Sequence, residues 1–201
     1  RGWRRRCASR AGCHWNARDR VGTPRTTVEL CRQWKSRLAT YLSAERGIDA
    51  YVVIHSSQVA VEAVGDETTG EALSRGLAEA WASRPDPSVP VIAIRDSPIF
   101  EGSTTRFARV VQPCIDDAGL AAGATCARDR DQAVRDDGTA GAVRLTPNAH
   151  RVDLTDYFCE ADTCSPVVGN LQVYQDGFHI SPLYAATLAP YLGDRIATIL
   201  H

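Results

Sequence analysis

The sequence predicts an α/β fold: a three-layer α/β/α sandwich built on a parallel sheet. Three observations carry this. Two short, continuously apolar runs, Asp49–His55 and Val91–Asp96, read as buried strands. Amphipathic stretches of helical period separate and follow them. Strands apolar throughout need cover on both faces, which a parallel sheet with crossover helices supplies. A length of 201 residues suits a single domain over 1–201. With 44% hydrophobic and 23% charged residues, wholesale disorder is excluded. No run of 18 apolar residues exists, which excludes a helical membrane span within the chain.

Residues 1–25 are basic and irregular, with one short strand expected around Trp3–Ala8. A helix follows over Thr27–Arg46, where Leu30, Trp34, Leu38, Tyr41 and Leu42 recur at helical spacing and Arg46-Gly47 ends the pattern. The first buried strand comes next. A second helix spans Asp66–Ser83, its face made by Ala72, Leu77, Ala80 and Trp81. Pro85, Pro87 and Pro90 mark a turn into the second strand. Residues 97–148 read as a long polar loop region tied by cross-links, since they hold Cys114 and Cys126 and show little periodicity. A third strand is expected at Arg151–Leu154 and a short one at Leu171–Tyr174. In the C-terminal helix Ser181 is the N-cap and Pro182 the first helical residue. Leu183, Leu188, Tyr191, Leu192, Ile196 and Ile199 form its stripe. Ligands of such folds sit at the carboxyl ends of the strands, which places His55–Gln58 and Asp96–Pro98 at a site edge.

Charge and cysteine usage are uneven. The 23 basic residues include a single lysine, Lys35, and offset 24 acidic ones to a net −1. Residues 1–37 alone carry +9, read either as a solvated end or as a footprint for phosphate or nucleic acid. No RNA-binding motif or helix-turn-helix accompanies it, so no nucleic-acid partner is expected. The chain has no Met and is expected to be a piece cut from a longer product. The seven cysteines are Cys7, Cys13, Cys31, Cys114, Cys126, Cys159 and Cys164, with no C-x-x-C pair. They read as disulfides of an oxidising compartment or as scattered buried thiols of a cytosolic protein. Pairing neighbours gives Cys13–Cys31, Cys114–Cys126 and Cys159–Cys164 and leaves Cys7 over.

The strongest chemical signal is Tyr174-Gln-Asp176-Gly-Phe-His179-Ile-Ser181-Pro182. An Asp and a His three apart on a tight turn can meet, so that the carboxylate fixes one imidazole nitrogen and the other serves as a base. The plain alternative is a turn Asp and a half-buried His with ordinary hydrogen bonds. Ser56, Ser57 and Ser97 follow strand ends and read as loop hydroxyls rather than nucleophiles.

Context sharpens this reading. The run from Val152 to Leu192 resembles the C-terminal end of the SGNH-hydrolase-like domain of acyltransferase 3 membrane proteins. The matching blocks are Val152-Asp-Leu-Thr-Asp156, Cys159 with Cys164, Pro166-Val-Val-Gly169, Val173-Tyr-Gln-Asp176-Gly-Phe-His179 and Tyr184-Ala-Ala-Thr-Leu-Ala-Pro190. Looser matches are Arg1-Gly-Trp3, Ser9-Arg-Ala-Gly12-Cys13, Cys31-Arg-Gln-Trp34 and Val91–Pro98. The resemblance departs at three points. No Gly-Asp-Ser occurs, Cys13 is followed by His14 where the family has Pro, and His55-Ser-Ser-Gln58 lacks the family's usual side chains.

The resemblance implies an SGNH/flavodoxin-like sandwich from which the first strand and the nucleophile block are missing. It implies a catalytic pair in His179 and Asp176, an oxyanion donor in the Gly12 N–H, and family-like places for six cysteines: Cys13, Cys31, Cys114, Cys126, Cys159 and Cys164. The implied activity is transfer of an acyl group, acetyl first, to a cell-envelope glycan on the extracytoplasmic side. A membrane acyltransferase domain would deliver the acyl donor, and the domain would act as a monomer. No metal or organic cofactor is implied. The alternatives are a free-standing secreted esterase of the same fold and a non-catalytic remnant or glycan-binding module.

Overall fold

A computed structural model describes residues 6–100 and 111–201. In chain order its elements are α1 (Arg25–Ala44), β1 (Tyr51–Ile54), α2 (Thr69–Ala82), β2 (Val91–Ile94), α3 (Val111–Ala118) and α4 (Ala122–Thr125). There follow β3 (Arg128–Asp129), α5 (Arg130–Ala133), α6 (Thr139–Leu145), β4 (Ala149–Val152), β5 (Thr163–Cys164), β6 (Val167–Val168), β7 (Leu171–Gln172) and α7 (Pro182–Leu200). Strands β1, β2 and β4 form a parallel sheet in that order. The Tyr51 N–H donates to Pro90 O at 2.9 Å and the Val91 N–H to Asn148 O at 3.0 Å. Parallel neighbours require crossovers, which α2 and the long segment between β2 and β4 provide. The α/β class with a parallel sheet is therefore as the sequence predicts.

The chain divides into two compact units. One comprises Arg1–Ala93 with Asp137–Arg151, the other Ile94–Asp136 with Val152–His201. In the first unit α2 starts with a capping box: Thr68 accepts from the Glu71 N–H, and the Glu71 carboxylate accepts from Thr68. Its apolar face, Ala72, Leu77, Ala80 and Trp81, is buried as the periodicity predicts, with Leu73 beside it. A core of Tyr51, Leu77, Trp81, Val91, Ala93 and Ala142 fills this unit. Gly138 has φ +73°, and a Cβ there would meet Leu73 Cγ at 2.7 Å. Only glycine permits both that backbone and that approach. Buried Arg84 donates to the carbonyls of Trp81, Pro87, Val89 and Pro147, holding the turn that feeds β2.

Three expectations are corrected here. The strand at 51–54 is not buried throughout: Tyr51 is, but Val52 and Ile54 are 46% and 70% exposed. A continuous apolar run fixes strand type but not which face is covered. The expected strand at Trp3–Ala8 is absent from Arg6–Ala8, while Arg1–Arg5, with Gly2 and Trp3, lie outside the described residues. The third strand lies two residues earlier than expected, at Ala149–Val152.

Four of the eleven basic residues in 1–37 form ion pairs within the first unit. Arg18 pairs with Glu79 at 2.9 Å, Arg32 and Lys35 both bind Asp19, and Arg6 pairs with Glu45. Hydrogen bonding from Arg32, helped by Lys35, holds the Asp19 carboxyl below the usual range against the effect of burial.

In the second unit residues 111–136 are helical for the most part, which corrects the reading of 97–148 as a loop region. These helices are short, four to eight residues, too short for a 3.6-residue period to show. Part of that stretch, 101–110, lies outside the described residues. Helix α7 begins as the sequence states, with Ser181 Oγ accepting from the Tyr184 N–H and Pro182 in its first turn. Its buried face differs from the expected stripe. Tyr184, Leu188 and Ile196 are buried, while Leu183 and Tyr191 are 71% and 48% exposed. The Tyr184 hydroxyl donates to Tyr157 O, and its ring meets Phe158 with 5.4 Å between centroids.

Three disulfides close Cys13–Cys31, Cys114–Cys126 and Cys159–Cys164, the neighbour pairing, and Cys7 is a free, exposed thiol. Among the described residues no helix is long and apolar enough to cross a membrane.

Candidate functional site

The site is built from a hairpin and a capped helix in the second unit. Strands β6 and β7 pair antiparallel across Gly169-Asn170, both at positive φ (+56° and +61°), the backbone a tight two-residue hairpin demands. The chain then doubles back. Val173 donates to Pro166 O, Ser181 donates to Val173 O at 2.7 Å, and Gln175 donates to His179 O at 2.9 Å. Ser181 Oγ adds a bond to Gln172 O. The loop 175–179 is thus closed at its base by the residue that caps α7. Fully buried Tyr174 anchors it, its ring 5.1 Å from Phe100, and the Phe100 N–H donates to Gly177 O at 2.7 Å.

Within this loop the two predicted residues meet. His179 Nδ1 lies 2.6 Å from Asp176 Oδ2. Asp176 Oδ1 accepts from the backbone N–H of His179 at 2.7 Å and of Phe178 at 2.9 Å. The carboxylate therefore cannot swing away from the imidazole without breaking two main-chain bonds. Burial raises the Asp176 carboxyl's affinity for a proton. The hydrogen bonds from His179, its backbone and Phe178 outweigh this and hold the group below its ordinary range. An ionised carboxylate only accepts hydrogen bonds, so Nδ1 carries the proton and Nε2 is left with its lone pair. The His179 side chain is 59% exposed, so Nε2 can take a proton from a reactant. Phe178 packs on the ring with 4.2 Å between centroids and limits its rotation.

Other side chains cluster at strand ends of this unit. Arg95, directly after β2, donates to Asp153, directly after β4, at 2.9 Å. Asp153 also accepts from the N–H and hydroxyl of Thr155. Burial pushes its carboxyl up, but the bonds from Thr155 and Arg95 prevail and bring it down to about 2. An open cavity of about 480 Å³ is lined by Arg95, Arg130, Asp131, Val134, Ala161 and Asp162. The Val152–Asp156 block gave no sign in the sequence of Arg95 as the partner of Asp153.

Gly12 belongs to the first unit. It sits at φ +74° in a turn closed by the Cys13 N–H donating to Arg10 O at 3.0 Å. A Cβ there would come within 2.8 Å of Arg20 Nη1, and Arg20 donates to Gly12 O. The Gly12 N–H itself makes no hydrogen bond among the described residues and is exposed. In the same unit His55, at the carboxyl end of β1, pairs with His14. Sequence reasoning placed His55 at a site edge but gave it no partner, since nothing in the sequence links positions 41 residues apart. Ser56 Oγ accepts from the Gln58 N–H, the loop-hydroxyl role expected of it. Among the described residues no group of three or more His, Cys, Asp or Glu side chains is close enough to hold a metal ion.

The family model for the SGNH domain (fused to AT3 domains) matches residues 1–194, which span both units. Neither the comparison with curated proteins nor that with solved structures gives a match. The chain belongs to the family of SGNH domains that are fused to AT3 domains.

Proposed function

We propose that this domain transfers acyl groups, acetyl first, to a cell-envelope glycan on the extracytoplasmic side of a membrane, with His179 as its general base and Asp176 as the residue that orients it. The observation that carries the reading is the 2.6 Å contact between Asp176 and His179 Nδ1 on a carboxylate already held by two main-chain donors. That arrangement presents Nε2 for proton transfer and stabilises the imidazolium formed by it. Family membership supports the acyl chemistry and a membrane acyltransferase domain as the source of the acyl donor.

The nucleophile is a serine outside these 201 residues, which contain no Gly-Asp-Ser. It attacks the acyl carbonyl as Nε2 of His179 takes its proton. The Gly12 N–H is a donor to the oxyanion, and the proton returns to the leaving group. The acceptor sugar hydroxyl then attacks the acyl-enzyme by the same proton route. No cofactor takes part, and the domain acts as a monomer.

The test uses the polypeptide that joins this domain to an AT3 domain. His179→Ala is expected to lower acyl transfer to glycan by about 10³-fold or more, and Asp176→Asn by a comparable factor. Unchanged transfer in both variants overturns the assignment. A second reading, a remnant that binds glycan without catalysis, is favoured by the missing Gly-Asp-Ser alone. The 201-residue chain by itself is expected to take no fluorophosphonate label. Labelling that disappears in His179→Ala would place the serine within these residues and exclude the remnant.

A further inference from the structure

The first unit holds a buried histidine pair that the proposed chemistry leaves unused. His14 Nδ1 and His55 Nδ1 lie 2.9 Å apart, their rings edge to face with 4.3 Å between centroids. His55 is 2% exposed, and its Nε2 is buried with no hydrogen-bond partner. Two imidazole nitrogens at this distance share one proton: one ring donates and the other accepts. A second proton between these nitrogens would make one ring cationic and set two N–H donors against each other. Among the described residues the charged group that acts on both rings is Arg20, a cation, and no carboxylate offsets it. Burial above all, then these neighbours, pushes His14 down to about 4 and His55 down to about 3.

The bond joins two stretches 41 residues apart, which Trp15 also links, its ring 5.6 Å from that of Tyr51 in β1. His55 ends β1, whereas His14 lies two residues after Gly12 and next to the disulfide-bonded Cys13. The segment is held further on, where the Ala17 N–H donates to Gly76 O at 2.8 Å. We propose that the His14–His55 hydrogen bond positions the Gly12 turn against the carboxyl end of β1 and releases it on acidification. His55 is then a positioning residue acting through His14 on the Gly12 N–H. Its catalytic meaning rests on Gly12 being the oxyanion donor, whereas the acid-released latch does not.

The test is amide hydrogen exchange and imidazole ¹⁵N spectroscopy on the 201-residue protein, with exchange corrected for its intrinsic pH dependence. Between pH 7.5 and 5, protection of the Cys13 and Ala17 amides is expected to fall by about 30-fold for each imidazole set free, because a freed ring titrates near 6.5. The Leu77 amide, inside α2, is expected not to respond. His55→Gln keeps a neutral donor toward His14, so protection is retained with a shallower pH response. His55→Phe keeps the buried volume but loses the bond, so protection is low at every pH.

Protection that is independent of pH in the wild type, or unchanged in His55→Phe, overturns the latch. Should His55→Phe fail to fold, the imidazole spectra decide. Both rings neutral at pH 5 with one shared proton support the proposal, and independent titration near 6.5 overturns it. If acyl transfer fails the test of the preceding section while Cys13 and Ala17 respond as stated, the catalytic reading falls and the latch stands.

Discussion

Gly76→Ala tests how the segment that carries Gly12 and His14 is seated. Gly76 lies in α2, where helix propensity alone favours alanine by about 1 kcal/mol. The structure predicts the opposite sign. A Cβ at position 76 would stand 2.1 Å from Asn16 Oδ1, 2.9 Å from Asn16 Cγ and 2.7 Å from Arg18 Cγ. Asn16 is 2% exposed, donates to Leu73 O at 3.2 Å and accepts from the Arg18 N–H at 2.8 Å. To admit the methyl group Asn16 must leave this seat. Two hydrogen bonds at about 1 kcal/mol each are lost, and overpacking adds about 1–3 kcal/mol. Less the propensity gain, the variant should be destabilised by about 2–4 kcal/mol. In a domain of this size that lowers Tm by about 5–15 °C. Urea unfolding of the two proteins, compared at equal m-value, measures it. Asn16→Ala in the same background should relieve at least 1 kcal/mol of the Gly76→Ala cost, a coupling between contacting residues. A Gly76→Ala protein as stable as the wild type, or more so, would refute this account of the segment.

The other predictions concern the same two units. Gly193→Ala in α7 meets nothing within 4 Å and should stabilise by about 0.5–1 kcal/mol in the same urea assay. Removing Cys13–Cys31, 18 residues apart, should cost about 3 kcal/mol, and removing Cys159–Cys164, five apart, about 2 kcal/mol, as loop-closure entropy scales. Paired Ala variants compared by thermal unfolding check that order. Asp153 has a folded-state pKa of about 2, below its unfolded value, so its contribution is present above pH 4 and lost as pH falls from 4 toward 2. Asp153→Asn should therefore flatten the fall in urea midpoint over that interval.

Legibility in the sequence followed the length of the signal. Helices α1, α2 and α7 span 14 to 20 residues, long enough for the period to show, and all three were readable within a few residues. The four-residue helices around Ala122 and Arg130 were not, because one turn of helix has no period and Cys114–Cys126 holds much of that stretch instead. Burial of β1 was misread because an edge strand can be apolar on a face that nothing covers, as Ile54 shows. In the candidate site, Asp176 and His179 lie three apart on one loop, and the resemblance of the surrounding blocks to the SGNH domain of acyltransferase 3 proteins is what singled them out. The partners that cross the chain were not legible: His14 with His55, and Arg95 with Asp153, 58 residues away. The sheet fixes the second pair by bringing the ends of β2 and β4 together, whereas His14 lies on no strand and reaches His55 through the packing of its own segment.

The central claim is that Asp176 holds His179 with its Nε2 bare and ready to act as a base. The tautomer of His179 tests it most directly, read from long-range ¹H–¹⁵N couplings of the neutral imidazole in the 201-residue protein. The account predicts a proton on Nδ1 in the wild type and its transfer to Nε2 in Asp176→Asn, where an amide replaces the acceptor. A wild-type His179 protonated on Nε2, or one indifferent to Asp176→Asn, would contradict it.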